Sequence, residues 1–216
     1  MRIRAVIWDL DGTLLDTLGD LAASTNAALA AEGLPLRTED EVRAFVGNGV
    51  RRLIERAVGD AGHPAVDRVL DVFVQHYAVH SRDRTAPYDG IPALLQALRD
   101  AGVAQGIVSN KIDFAVRELT AVYFPGMMQV VVGDDPSRRR KPAPDSVLEA
   151  MRRLGAAPGE TVYIGDSDVD VQTARNAGVA CCAVTWGFRD EACLRAAGAE
   201  HIAHTPAMLL EILERL

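Results

Sequence analysis

The stretch "IRAVIWDLDGTLLDT", residues 3–17, decides the fold. Its apolar run through Ala5, Val6, Ile7 and Trp8 reads as a strand buried on both faces, the kind found inside parallel sheets. Such strands do not ordinarily finish on paired negative charge, yet this one ends on Asp9 and Asp11. The two acids demand either a cation or a chemical task.

Downstream of Ile91 the pattern alternates helix and strand. "IPALLQALRDAG" reads as an amphipathic helix, "VAQGIVSN" as a strand, "IDFAVRELTAVYF" as a helix and "MQVVVGDD" as a strand. "PDSVLEAMRRLG", "TVYIGDSD", "VQTARNAG", "VACCAVTWG" and "PAMLLEILERL" continue the alternation to the end. This rhythm predicts an α/β fold, a doubly wound, mostly parallel sheet covered on both faces. Residues 16–83 break it with four successive amphipathic helices, from "LGDLAASTNAALAAEG" to "AVDRVLDVFVQHYAVH". The expected organisation is therefore a core of residues 1–15 and 84–216, with an all-helical unit of residues 16–83 inserted after the first strand. Hinges are expected around 15–17 and 82–88.

Composition bounds the function. The 216 residues are 49% hydrophobic and 25% charged, as in an ordinary globular protein, with a net charge of −7. An acidic balance argues against a nucleic-acid surface, and "SRRRK" at 137–141 is too short to reverse it. No apolar run reaches the ~20 residues needed to span a bilayer, and no secretory leader is evident. Three cysteines, Cys181, Cys182 and Cys193, have no metal or redox spacing. These features suggest a cytoplasmic protein, monomer or homodimer, without nucleic-acid or membrane partners.

In open α/β sheets ligands bind beyond the carboxyl ends of the strands. Asp9, Asp11 and Thr13 follow the first strand, Ser109 and Asn110 end "GIVSN", Lys141 follows "MQVVVGDD", and Asp166, Asp168 and Asp170 follow "VYIG". Singly, each has a plain explanation as a turn or helix cap, Asp168 above all. Together they would crowd acids, a hydroxyl and a lysine on one rim. Carboxylates ~4 Å apart repel by about 4 kcal/mol at an effective dielectric of 20. Either several of the acids stay protonated or a divalent cation sits among them, and all-oxygen ligation that leaves room for a phosphate oxygen suits Mg²⁺.

"DLDGTLLDT", the Ser109 strand end, "KPAPD" and "GDSDVD" resemble, in order and strand context, the four motifs of the haloacid dehalogenase superfamily. The helical insert resembles that family's cap, and "FVGNGVRRLIERA" with "APYDGIPALLQALRDAG" resembles phosphoglycolate phosphatases. The resemblance implies hydrolysis of a small phosphorylated metabolite. Asp9 would be the nucleophile and Asp11 the acid–base. Asp9, Asp11 through its main chain, Asp166 and Asp170 would serve a Mg²⁺ site, with Asp170 behind the ligands. Ser109 and Lys141, helped by Thr13 and Asn110, would bind the phosphate. Asn48 and Arg51 in the insert could meet the leaving group, or could be an ordinary turn and a surface charge. The phosphatase reading stands beside a phosphomutase of the β-phosphoglucomutase kind and a non-catalytic phospho-acceptor. Nucleotides, sugar phosphates, flavin mononucleotide and pyrophosphate remain alternative substrates. Trp8 and Trp186 read as core or cleft wall, and His201 and His204 as solvated or strand-edge residues.

Overall fold

The computed structural model describes residues 3–216. Strand β1 (Ala5–Trp8) leads through a turn to β2 (Leu15–Asp16) and four helices, α1 (Leu18–Ala31), α2 (Glu39–Phe45), α3 (Val50–Val58) and α4 (Val66–His80). The chain returns through β3 (Ala86–Pro87) to α5 (Ile91–Asp100), β4 (Ala104–Ile112), α6 (Asp113–Tyr123), β5 (Val130–Asp134) and α7 (Asp145–Leu154). It finishes with β6 (Thr161–Gly165), α8 (Asp168–Ala177), β7 (Ala180–Val184), α9 (Glu191–Ala197), β8 (His201–Ala203) and α10 (Pro206–Arg215).

Six strands form one parallel sheet in the order β5-β4-β1-β6-β7-β8. Side chains of a strand alternate between faces, and β1 shows the consequence. Val6 and Trp8 enter a cluster with Ile91, Leu95, Leu209 and Leu213, while Ile7 enters a second with Val147, Met151 and Ala174. Helices therefore cover both faces, as the continuous apolar runs predict. After β1 the chain builds outward through β4 and β5, then returns to lay β6 on β1's other side. This reversal opens a crevice beyond the carboxyl end of β1.

Helices α1 to α4 bury a cluster of their own, built around Leu29, Val42, Ile54, Val69 and Phe73. Thr38 starts α2 with a reciprocal cap: its hydroxyl accepts from Glu41 N at 3.2 Å, and Glu41 Oε2 accepts from Thr38 N at 2.8 Å. The passage into and out of this block is a two-residue antiparallel ribbon, Leu15 opposite Pro87 and Asp16 opposite Ala86. Pairs this short leave no periodicity to read. Asp20, buried on the first turn of α1, locks the returning chain by accepting from Arg84 N, Thr85 N and Thr85 Oγ1 at 2.7–3.1 Å. Among the described residues, no helix is long and apolar enough to cross a membrane.

Candidate active site

Asp9 is the first residue beyond β1, and Gly12 turns the chain directly after it with φ +81°. That backbone favours glycine, and a Cβ there would also strike the carboxylate of Asp166. The turn thus packs against Asp166 at the end of β6, with Asp9 beside it. Asp9, Asp166 and Asp170 each offer a carboxylate oxygen, all within 4.8 Å of one another.

Burial raises Asp9 from 3.8 to about 7, against the pull of Lys141 and with the charges of Asp170 and Asp11 adding to the rise. Burial, then the charges of Asp170 and Asp9, raise Asp166 to about 8. Lys141 reaches into this cluster with Nζ 3.0 Å from Asp9 Oδ1, 2.8 Å from Asp170 Oδ1 and 3.0 Å from Tyr163 Oη. Burial opposes its charge, but Asp170 and Asp9 hold Lys141 above the ordinary lysine range. Asp170 also accepts from Ser167 N at 3.1 Å and Ser167 Oγ at 2.6 Å. Asp166 accepts from Thr13 Oγ1 at 3.1 Å and Phe188 N at 2.7 Å.

Several expected residues take different places. The hydroxyl of Thr13 donates to Asp166 and so helps to aim that carboxylate. Asn110 bridges Lys141 and the helical block: Oδ1 accepts from Lys141 N at 2.9 Å, and Nδ2 donates to Lys141 O at 3.1 Å and Gly47 O at 2.9 Å. Nor do Ser109 and Asn110 cap α6, because β4 continues past them to Ile112. The cap of α8 is Ser167, not Asp168, whose carboxylate lies 3.9 Å from Arg189. Asp11 stands apart from the acid cluster, its carboxylate accepting from Lys111 Nζ at 2.9 and 3.1 Å and Thr17 Oγ1 at 2.8 Å.

Ser109 does line the pocket between the crevice and the helical block, with Asp9, Asp11 and Asp166. Asn48 and Arg51 do not. Asn48 Oδ1 accepts from Arg56 and lines a separate outer groove, while Arg51 pairs with Asp67 at 2.9 Å and with Glu55 on the outer face of α3. On that helix Leu53, Ile54 and Ala57 take the buried side, leaving Arg51 to solvent.

Two residues escaped the sequence reading. Lys111 is buried beside Asp11 and lines the same pocket as Ser109, two positions earlier. A lysine inside an apolar strand was the signal. Arg189, beyond β7, grips the carboxyl end of α2, donating to the carbonyls of Arg43 at 2.8 Å, Ala44 at 3.4 Å and Val46 at 2.7 Å. No sequence pattern announces a contact between positions so distant. Trp186 closes the same edge, its indole N–H donating to Thr13 O at 3.0 Å, whereas Trp8 is core.

Residues 6–184 match the family model of haloacid dehalogenase-like hydrolases. The chain is 37% identical over 218 residues to the N-acetylmuramic acid 6-phosphate phosphatase of Pseudomonas aeruginosa, covering 100% of this chain and 96% of that protein. It is 36% identical over 187 residues to a phosphoglycolate phosphatase of Xylella fastidiosa, covering 86% and 82%. A crystal structure of a Lactobacillus delbrueckii subsp. bulgaricus protein assigned as a phosphoglycolate phosphatase superposes with a TM-score of 0.93 at 38% identity, covering 99% of each chain. CbbY of Rhodobacter sphaeroides, solved in complex with phosphate, superposes with a TM-score of 0.76 at 25% identity, covering 96% of each chain. An acid-tipped first strand on a doubly wound sheet, and relatives that are phosphatases across nearly its whole length, place this enzyme among the haloacid dehalogenase-like hydrolases.

Proposed function

We propose that this hydrolase is a Mg²⁺-dependent phosphatase that splits a small phosphate monoester through an aspartyl-phosphate on Asp9. The observation that carries the reading is the triad of Asp9, Asp166 and Asp170, with carboxylate oxygens within 4.8 Å and Lys141 at its back. Burial first, and the neighbouring carboxylates after it, raise the proton affinity of Asp9 and Asp166, so a cation that replaces the lost water would be favoured here. An oxygen-only donor set of this kind fits a hard divalent cation. Asp9 and Asp166 would hold it, with Asp170 orienting from behind through Lys141 and Ser167. The ion would supply charge compensation for the phosphoryl oxygens.

The chain's own groups account for both half-reactions. Asp9 attacks phosphorus, an acyl-phosphate bond forms, and the bond from phosphorus to the ester oxygen breaks. Asp11 gives its proton to the departing alkoxide. It then takes a proton from water as that water attacks phosphorus, which releases inorganic phosphate and restores the Asp9 carboxylate. Lys111, 2.9 Å from Asp11, aims this acid–base group, and Ser109 and Lys141 bind phosphoryl oxygens.

Residues 16–83 would act as a cap over a core of 1–15 and 84–216, residues 1 and 2 lying outside the described residues. Arg189 and Asn110 tie the two by hydrogen bonds to the 43–47 segment. Closure would exclude water from the pocket. The similarity to phosphoglycolate phosphatases supports a phosphoglycolate-like substrate, and the full-length similarity to the P. aeruginosa enzyme supports N-acetylmuramic acid 6-phosphate as a second. Both are phosphate monoesters of an acid. Free thiols at Cys181, Cys182 and Cys193 suit a reducing cytoplasm.

The test is phosphate release from these two esters, sugar phosphates, nucleotides, flavin mononucleotide and pyrophosphate, with and without chelator. Asp9→Asn should lower turnover by at least about a thousandfold with an unchanged circular dichroism spectrum. Undiminished turnover in that variant, or in chelator, would overturn the mechanism.

A further inference from the structure

The pocket above Asp9 has apolar upper walls, with Leu21, Val50, Leu53 and Phe73 contributed by the helical block. One member of that block is different in kind. Tyr77 of α4 lines the pocket, is 3% exposed and stacks on Phe73 with ring centroids 5.4 Å apart. Its hydroxyl is buried beside the Lys111 ammonium and, among the described residues, meets no group at full hydrogen-bond distance and angle. Buried polar atoms are nearly always satisfied, and an exception beside a catalytic centre points to a partner that arrives with the ligand.

The neighbour of this orphan is Lys111, whose ammonium lies 4.6 Å from the Tyr77 ring centroid. Two of its three protons go to the oxygens of Asp11, at 2.9 and 3.1 Å. One donor remains. Burial pushes the Tyr77 hydroxyl up to about 12, against the charge of Lys111, so it stays protonated at neutral pH. The place thus holds a phenolic donor and a spare ammonium donor, beside the group that would protonate the leaving oxygen. Neither is needed for attack at phosphorus.

We propose that Tyr77 Oη and Lys111 Nζ form a leaving-group subsite, juxtaposed across the block and the sheet, that receives a carboxylate of the alcohol being released. Two donors with one positive charge match the two oxygens and single charge of a carboxylate. The apolar walls take the carbon skeleton. This inference rests on the phosphatase reading and names the class of its substrate: phosphate monoesters of hydroxy acids.

Matched ester pairs test it. Phosphoglycolate is compared with ethyl phosphate, which replaces the carboxylate by a methyl group. N-acetylmuramic acid 6-phosphate is compared with N-acetylglucosamine 6-phosphate, which lacks the acid-bearing ether. The wild-type enzyme should prefer the acidic member of at least one pair. In Tyr77→Phe, which keeps the ring and its stacking, the kcat/KM ratio of that pair should fall about ten- to a hundredfold, chiefly through KM. A purely structural tyrosine would depress both members alike and leave the ratio intact, which would overturn the proposal. So would a wild-type enzyme indifferent to the carboxylate in both pairs while hydrolysing p-nitrophenyl phosphate. Failure to release phosphate from any ester, p-nitrophenyl phosphate included, would instead remove the phosphatase reading on which the subsite depends.

Discussion

Lys141 shows how much a single side chain can carry. Its ammonium lies 3.0 Å from Asp9, 2.8 Å from Asp170 and 3.0 Å from Tyr163, and its side chain is 3% exposed against 0% for Asp170. Removing one member of a buried ion pair strands the other, at a cost of about 3–5 kcal/mol. Lys141→Met should therefore lower metal-free stability by about that amount in urea unfolding. A loss below about 1 kcal/mol would mean that the acids are neutral without it. The presence of a lysine near the rim was legible in "RRRKPAPD". Tyr163 among its partners was not, because it reaches Lys141 from β6, more than twenty positions away. Lys111 was legible in principle, as a charge two residues past Ser109 in an apolar strand, yet its meaning comes from Asp11 across the crevice.

At the scale of elements, α2 is the telling case. Its amino end is specified locally by the Thr38 and Glu41 cap, which the sequence carries three positions apart. Its carboxyl end is completed by Arg189, whose guanidinium meets carbonyls where the helix dipole is negative. Arg189→Ala should release this end. Backbone amide exchange over residues 43–49 should quicken about ten- to a hundredfold, as expected for losing charge-assisted hydrogen bonds. Exchange in β1 and β6 should stay as in the wild type; an unchanged rate at 43–49 would show that the grip contributes nothing. The long helices and buried strands were readable because each writes its period many times over. The ribbon of β2 and β3 was not, with two residues in each strand.

For the whole molecule, the acid cluster ties stability to protons and, on the proposed function, to a bound cation. Asp9 and Asp166 rise from 3.8 in the unfolded chain to about 7 and about 8 in the folded one. Between roughly pH 4 and pH 8 the native state holds protons that the unfolded state has lost. The stabilisation that these groups contribute is thus full below pH 4 and lost as pH rises through 7 to 8. Without metal, the unfolding midpoint should fall across this window, and the fall should be shallower in Asp166→Asn. Because a cation competes with these protons, millimolar Mg²⁺ should raise the midpoint more at pH 8 than at pH 5. Equal shifts at both pH values would separate the metal from the cluster.

By itself the sequence determined five of the sheet's six strands and most of its helical covers, the helical run between the first strand and the rest, and the rim from which Asp9, Asp11, Ser109 and Asp166 would act. Strand β8 and helix α9, with three and seven residues, write too little period to be read. Local periodicity encodes the elements, and the rule that strand carboxyl ends face the crevice does the rest. Only the tertiary structure decided the pairings: Thr13 with Asp166, Lys111 with Asp11, Arg189 with α2, and Arg51 turned away from the pocket. The physical reason is that hydrogen bonds and ion pairs depend on distance in space, which packing sets and sequence separation does not record. Tyr77 makes the point most sharply, an ordinary aromatic in a helical stripe whose hydroxyl acquires meaning from an empty hydrogen-bond position beside Lys111.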